Sequence, residues 1–510
     1  MLLLIKRIHV GVIEKQGLQG TILTYVGVAI GFVTAGLILP NLFDPELNGV
    51  LDLLNAWALV FATFATLGIN NVSNRLFPYF RNKANHHNGY LGIVFIVLAG
   101  GLILTTGIYF IMRPFIVTKS LEETDLFANY ADLIIPLAVF IALFLVIDIY
   151  YAVLFKAVKG IFYKEFLQRI FILIAIGIYF VKFIDFSGFV LAYLIALSLP
   201  GILILVSLTR DKELVFHYPK GFINKQLASS IVSVALFGIV VSFSNILIQN
   251  IDKIMIGSIL GVAATGVYGR SFFYGTLVAI PLRVLSKISA VVVAQAWKDN
   301  KIEEINRIYT KSTIDQLIIG VLVFIGLWAN IHNILHILPP EYADGKWVIF
   351  FIGLSNLFLM AAGVNGVIIS TSKFYKILTV FVAIFGGLVI ISNFIFIHLF
   401  GITGAAIGSA ISAFCYGLMR YGFLWQKFKM QPYSYRHLLI LGIGVLTFFI
   451  SGLIPDLNHV DYKTPSLILD IIVRSGAMAI VYTSLIFLFR LSPDLEGFIR
   501  KYFYKSERKT

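Results

Sequence analysis

Fourteen stretches of this 510-residue chain are each apolar for about 20 residues, the length a helix needs to cross a bilayer. They fall near 18–40, 49–72, 89–112, 130–155, 166–184, 188–208, 229–257, 266–282, 313–335, 347–371, 376–397, 403–425, 437–454 and 466–490. The runs are continuous rather than alternating. That selects helices over barrel strands, because in lipid the backbone must satisfy its own N–H and C=O groups. Apolar residues make up 59% of the chain and charged ones 13%, against roughly 45–50% and 25% in soluble domains. The expected fold class is an all-α polytopic membrane protein.

The charges test this partition. Of 40 Lys and Arg, 32 lie at the two termini and in every second loop, near 73–88, 156–169, 209–226, 283–311, 372–376 and 420–436. Arg113, Lys119, Lys182, Lys253, Lys346 and Lys463 lie on the other side, and Arg270 and Arg474 lie within spans. A missed helix would invert this bias downstream, and no inversion occurs. Both termini are therefore expected on the cytoplasmic side. The net charge of +14 reads as a topology signal; nucleic-acid binding would need a basic folded face. Met1–Leu4 is too short for the apolar core of a cleavable signal. The single Cys415 excludes an intramolecular disulfide and reads as a small buried apolar residue.

The chain also repeats. Ile38–Leu51 (ILPNLFDPELNGVL) aligns with Met255–Tyr268 (MIGSILGVAATGVY) at an offset of 217, with Gly49/Gly266 and Val50/Val267 identical. Phe162-Tyr163-Lys164 recurs as Phe374-Tyr375-Lys376 and Ser187-Gly188 as Thr403-Gly404, at offsets of 212 and 216. Chance matching of apolar sequence is the competing explanation, but each pair falls at the same place in the span order. Six spans per repeat return the chain to its starting side, so the halves should be related by a pseudo-twofold axis along the membrane normal. The expected domains are a lobe at 1–208, a cytoplasmic linker at 209–226 (Arg210, Asp211, Lys212, Glu213, Pro219, Gly221), a second lobe at 227–426, and two further helices with a basic tail at 427–510. Two similar halves usually enclose a path, which points to transport.

Polar side chains inside spans need a partner or water. Ser242, Asn245, Gln249, Asp252 and Lys253 share one face of the seventh span. Asn48, Asp52 and Asn55 share a face of the second, and Arg270 and Tyr274 one of the eighth. The repeat offset matches Asp52 to Gly269, beside Arg270, which puts Asp52, Asp252, Lys253 and Arg270 at similar depth. Two readings stay open. In one, a central cavity offers Lys253, Arg270, Asn245, Gln249, Tyr274 and Asn55 to a substrate, with Asp52, Asp252 and Asp148 in gating or ion coupling. In the other, the charges form a structural salt-bridge cluster. Trp57, Phe272, Phe273 and Tyr274 are candidates to meet a sugar ring. Asp148, near the inner end of the fourth span, also fits simple interfacial solvation. Asp470 and Arg474 are expected to neutralise each other at i,i+4. His86-His87 has no third ligand nearby, so no metal is expected. Ile302, Ile305 and Ile308 suggest that 298–311 is a helix on the cytoplasmic surface leading into the ninth span.

GxxxxGK[ST], HExxH and CxxC are absent, so no nucleotide, metal or other cofactor is expected. No long outward loop carries the catalytic cluster of a polymerase or transferase, so the chain is not expected to be an enzyme. Driving force would come from an ion gradient, the membrane potential, the substrate gradient or a partner.

Asn250–Tyr268 (NIDKIMIGSILGVAATGVY), Ile280-Pro281, Gln295-Ala296-Trp297, Ile308-Tyr309 and Phe400–Ala406 (FGITGAA) resemble the second lobe of polysaccharide and O-antigen flippases. These belong to the multidrug/oligosaccharidyl-lipid/polysaccharide exporter superfamily. The span order of six, six and two agrees over the whole chain. The resemblance implies a V-shaped pair of bundles alternating between inward-open and outward-open states in a bacterial inner membrane. Its cargo would be a polyprenyl-pyrophosphate-linked oligosaccharide, with a polysaccharide polymerase and glycosyltransferases as partners. Lys253 and Arg270 would suit the pyrophosphate, and the Asn/Gln/Ser stripe the sugar hydroxyls. The first span, 18–40, carries no charge, a departure from drug exporters and from peptidoglycan-precursor flippases. An ion-coupled small-molecule antiporter and a membrane enzyme of polysaccharide assembly stand as alternatives.

Overall fold

The computed structural model describes residues 19–20, 22–123, 126–215, 222–455 and 464–492. The basic tail Lys501–Thr510, and Pro219 and Gly221 of the expected linker, lie outside the described residues. Helix dominates throughout, and no strand occurs among the described residues. We number the main helices α1 (Ile22–Leu42), α2 (Pro45–Ala65), α3 (Ile69–Phe80), α4 (Tyr90–Glu123), α5 (Ile134–Val153), α6 (Gln168–Phe180), α7 (Phe186–Arg210), α8 (Lys225–Ile259), α9 (Val262–Thr276), α10 (Ile280–Lys298), α11 (Ile302–Ala329), α12 (Lys346–Ala361), α13 (Asn365–Thr371), α14 (Tyr375–Phe428), α15 (Tyr435–Ser451) and α16 (Thr464–Leu488).

Ten helical segments among the described residues are long and apolar enough to span a membrane. The other expected spans are also helical. The 54-residue α14 holds two of them, because Phe400 and Gly401 leave helical geometry inside it. Gly401 sits at φ +58°, a conformation that side chains disfavour, so the FGITG sequence makes the corner. Span five runs through Val158–Ile161 and the π-helical Phe162–Leu167 into α6. Span eight is α9, and span thirteen is the 17-residue α15.

Two expectations are corrected. The segment 283–311 is not a loop: α10 continues to Lys298, and α11 starts at Ile302 and runs directly into span nine. The stretch from Ile302 is helical and leads into span nine as expected, but its apolar side packs inside the protein rather than on a membrane surface. Its Ile305 is fully buried, packed with Val293, Ala296, Ile368 and Leu424; only Ile302 stays exposed. Span five also begins earlier than 166, which brings Glu165 and Arg169 inside the helix. They form an ion pair at 3.3 Å, and the buried Gly27 and Gly31 of α1 leave the room: a Cβ at Gly31 would collide with the Arg169 guanidinium.

The chain divides into two compact units, Met1–Gly266 and Val267–Thr510. In the first, α2 is the central element. Asp44 caps it, accepting from the Leu47 N–H at 2.9 Å, and Pro45 opens its first turn. It packs against α4, α5 and α8. Lipid is as apolar as the helix surfaces, so such contacts rest on close packing and on polar bonds rather than on a hydrophobic drive. In the second unit, α11, α12, α15 and α16 share one core, and the Tyr482 hydroxyl donates to the Ile318 carbonyl at 3.1 Å. The two helices beyond the repeat thus pack onto span nine.

Candidate functional site

Residues related by the repeat offset touch each other. A Cβ on Gly49 would collide with the Val262 carbonyl, and one on Gly266 with the Pro45 carbonyl. Adding 217 to 45 and 49 gives 262 and 266, so the two contacts are the same contact seen from either half. The N-terminal turns of α2 and α9 cross backbone to backbone, in the geometry of a local twofold axis.

One turn along α2 from this crossing, Asp52 accepts from Lys253 of α8, with Nζ 3.2 Å from Oδ1. Both side chains are half-buried, 13% and 16% exposed. Asp252, beside Lys253, is buried at 3% exposure. Asn55 lies one turn further along α2 and is half-buried; Asn245 and Gln249 are exposed on α8. Below the pair, Ala56, Val60 and Ile254 form a small apolar layer with Trp57, Phe243 and Leu247. The interface closes again at its far end, where Asn71 of α3 donates to the Ser242 hydroxyl at 2.9 Å and to the Gly238 carbonyl at 3.2 Å.

The structure therefore brings together Asp52 and Lys253, with Asp252 next in sequence, and leaves Asn245 and Gln249 open on the same helix. Arg270 and Tyr274 lie on α9 within the second unit and are buried, at 4% and 2% exposure. Asp148 sits on α5 against Gly160, whose missing side chain makes room for its carboxylate. Asn48 serves the fold. Its amide donates to the carbonyls of Leu39 at 3.1 Å and Phe43 at 2.9 Å, stapling the α1–α2 corner. Trp57 stacks on Phe61 at 5.7 Å. Sequence reasoning does not single out Asn71. It lies just before the segment 73–88, where polarity reads as loop, and only the packing of α3 on α8 gives it a partner.

Outside the spans, Asp211 accepts from Lys159 at 2.7 Å and lies 3.4 Å from Lys156. The Lys159 hydrogen bond holds its carboxyl below the usual carboxylate range.

Known proteins share this architecture. No curated protein matches the sequence. Among solved structures, the lipid II flippase MurJ in an inward closed conformation is similar at a TM-score of 0.73 and 12% identity, covering 92% of this chain and 98% of that one. An inward-facing multidrug resistance MATE family transporter of the MOP superfamily follows at a TM-score of 0.60 and 15% identity, over 80% and 94%. At such identities these likenesses establish the fold alone. The sequence itself matches the family described as polysaccharide biosynthesis protein over residues 18–294, more than half its length. This multi-pass membrane chain belongs to the polysaccharide biosynthesis protein family.

Proposed function

We propose that the chain is a flippase. It would carry polyprenyl-pyrophosphate-linked oligosaccharide units across a bacterial inner membrane, with both termini in the cytoplasm. The family match and the MurJ-like fold support this reading. The observation that carries it is the Asp52–Lys253 pair, a half-buried charge contact joining a helix of the first repeat half to one of the second. Such a pair is costly in lipid unless it faces water or is remade during a cycle. The halves 1–208 and 227–426 would be the bodies that alternate, with 209–226 as their linker.

In this scheme Asp52–Lys253 closes the outer end of the α2–α8 interface and Asn71–Ser242 the inner end. Breaking one while keeping the other gives alternating access. When the pair opens, Lys253 becomes a donor for the pyrophosphate and Asn55, Asn245 and Gln249 for sugar hydroxyls. Arg270 and Tyr274, buried on α9, are further candidates to contact the cargo. Asp252 and Asp148 are candidates to couple the cycle to an ion. A polymerase and glycosyltransferases would act downstream and upstream of the transported unit.

The test follows lipid-linked oligosaccharide in cells lacking the protein, probing its leaflet with an impermeant glycosidase. Accumulation in the cytoplasmic leaflet with loss of surface glycan is expected. Accumulation on the outer leaflet would indicate a polymerase, and altered sensitivity to toxic cations without accumulation would indicate an antiporter.

A further inference from the structure

Buried polar groups gather a second time within Val267–Thr510, where α11, α13 and α14 meet. Arg420 lies eight residues before the end of α14, roughly 12 Å inside it by helical rise. Its guanidinium stacks on Tyr416, with Cζ 4.0 Å from the ring centroid. Gly366 of α13 makes room for it, since a Cβ there would stand 2.7 Å from Nη1. The Nε is buried and has no hydrogen-bond partner, and among the described residues no carboxylate pairs with this side chain.

Its neighbours are equally unsatisfied. Tyr309 of α11 and Asn365 of α13 are fully buried. Neither the Tyr309 hydroxyl nor either end of the Asn365 amide makes a well-formed hydrogen bond. Tyr309 lies beside both Asn365 and Arg420. Buried polar groups are normally bonded, and an arginine cannot escape its charge by losing a proton. The same unit shows how it satisfies a buried arginine when the role is structural: Arg474 is bonded to Asp470 and to the Ser451 carbonyl.

Around Arg420 the balance is donor-rich. The guanidinium, the phenol and the amide N–H groups converge, and the amide oxygen is the lone strong acceptor among them. Several acceptor oxygens on one anion would satisfy this set, and phosphoryl groups match the guanidinium fork. We propose that Arg420, Tyr309 and Asn365 form a binding site for a phosphoryl anion, separate from the Asp52–Lys253 pair. The anion could belong to a soluble pyrophosphate head or to a phospholipid headgroup of the bilayer. This inference does not depend on the cargo proposed above.

The test uses the purified full-length protein. Thermal unfolding is followed in detergent against inorganic pyrophosphate, and retention of phosphatidylglycerol is measured by native mass spectrometry. Wild-type protein should show saturable stabilisation by pyrophosphate, or retained lipid, or both; the first assigns a soluble head and the second a membrane headgroup. Arg420→Gln should weaken the effect at least tenfold. Tyr309→Phe should weaken it several-fold while leaving the ligand-free midpoint nearly unchanged, because the buried hydroxyl it removes makes no well-formed hydrogen bond. If Arg420→Gln does not fold, Tyr309→Phe decides alone. Absence of binding by both probes, or undiminished binding in the variants, overturns the proposal.

Discussion

Two intramembrane ion pairs in this protein have opposite character. Asp470 and Arg474 sit four residues apart on α16, 1% and 8% exposed. The Asp470 carboxylate takes Arg474 Nε at 3.2 Å and Nη2 at 3.3 Å, plus the Asn333 amide at 2.5 Å. Arg474 Nη1 donates onward to the Ser451 carbonyl of α15 at 2.9 Å. Asp52 and Lys253 are 201 residues apart and meet through a 3.2 Å contact between partly exposed groups. The first pair is a fork locked by geometry; the second joins a compact ammonium to a carboxylate oxygen. Geometry and exposure, more than distance, set the locked Asp470–Arg474 contact apart from the pair proposed to be remade.

The largest effect should come from unbalancing the locked pair. Arg474→Met leaves Asp470 buried and uncompensated, at about 3–5 kcal/mol, so the thermal midpoint and membrane yield should collapse. The double change Asp470→Asn with Arg474→Met should recover much of the loss. An Arg474→Met variant as stable as wild type would remove the distinction between the pairs.

Next in size is the backbone crossing. Gly49→Val or Gly266→Val drives a side chain into a carbonyl and should cost roughly 1–3 kcal/mol or more, as overpacking does. By the repeat relation the two variants should melt at similar temperatures, and a large disparity would argue against the local twofold.

Lys253→Ala leaves the largely buried Asp52 carboxylate without its partner and should cost about 1–2 kcal/mol in stability, yet depress glycan export about tenfold or more. Exchanging the charges, Asp52→Lys with Lys253→Asp, should restore part of the export. Full export from a well-expressed Lys253→Ala protein would place this pair with the structural one.

The smallest effect is that of Asp211. Its folded-state pKa is lowered by Lys159. Its stabilisation is therefore present above the unfolded carboxylate value near pH 4 and fades as pH falls through the lower folded value. Because both groups are partly exposed, Lys159→Met should change stability by less than ~1 kcal/mol at pH 7, and this difference should vanish in acid melts.

Much of the fold is legible in the sequence because lipid removes alternatives: a long apolar run can only be a helix there. The i,i+4 pairing of Asp470 with Arg474 is legible because it is local. What escapes is set by helix ends and by partners far along the chain. By its charge pattern Arg420 opens a basic loop at 420–436, but α14 continues to Phe428 and sets it against Tyr416 and Gly366. Glu165 and Arg169 look interfacial until the π-helical start of span five places them against Gly27 and Gly31. Asp52 and Lys253 are found through the repeat, which supplies long-range information that periodicity lacks. Asn245 and Gln249 show the limit of that reasoning: they share the face of Lys253, yet they are more exposed than it is.

The Gly49–Gly266 crossing also sets a lever. Contact there is backbone on backbone, so it resists sliding and leaves rotation as the easier motion. Asp52 stands three residues from Gly49, and Ala65, the last residue of α2, sixteen, about 4.5 Å and 24 Å by helical rise. A rocking of α2 by about 10° on this fulcrum would move its far end, which leads into α3 and Asn71, by roughly 4 Å and Asp52 by less than about 1 Å. Small rotations thus part the amide latch at the long arm while the charges at the short arm hardly notice, and separating those charges calls for a different movement.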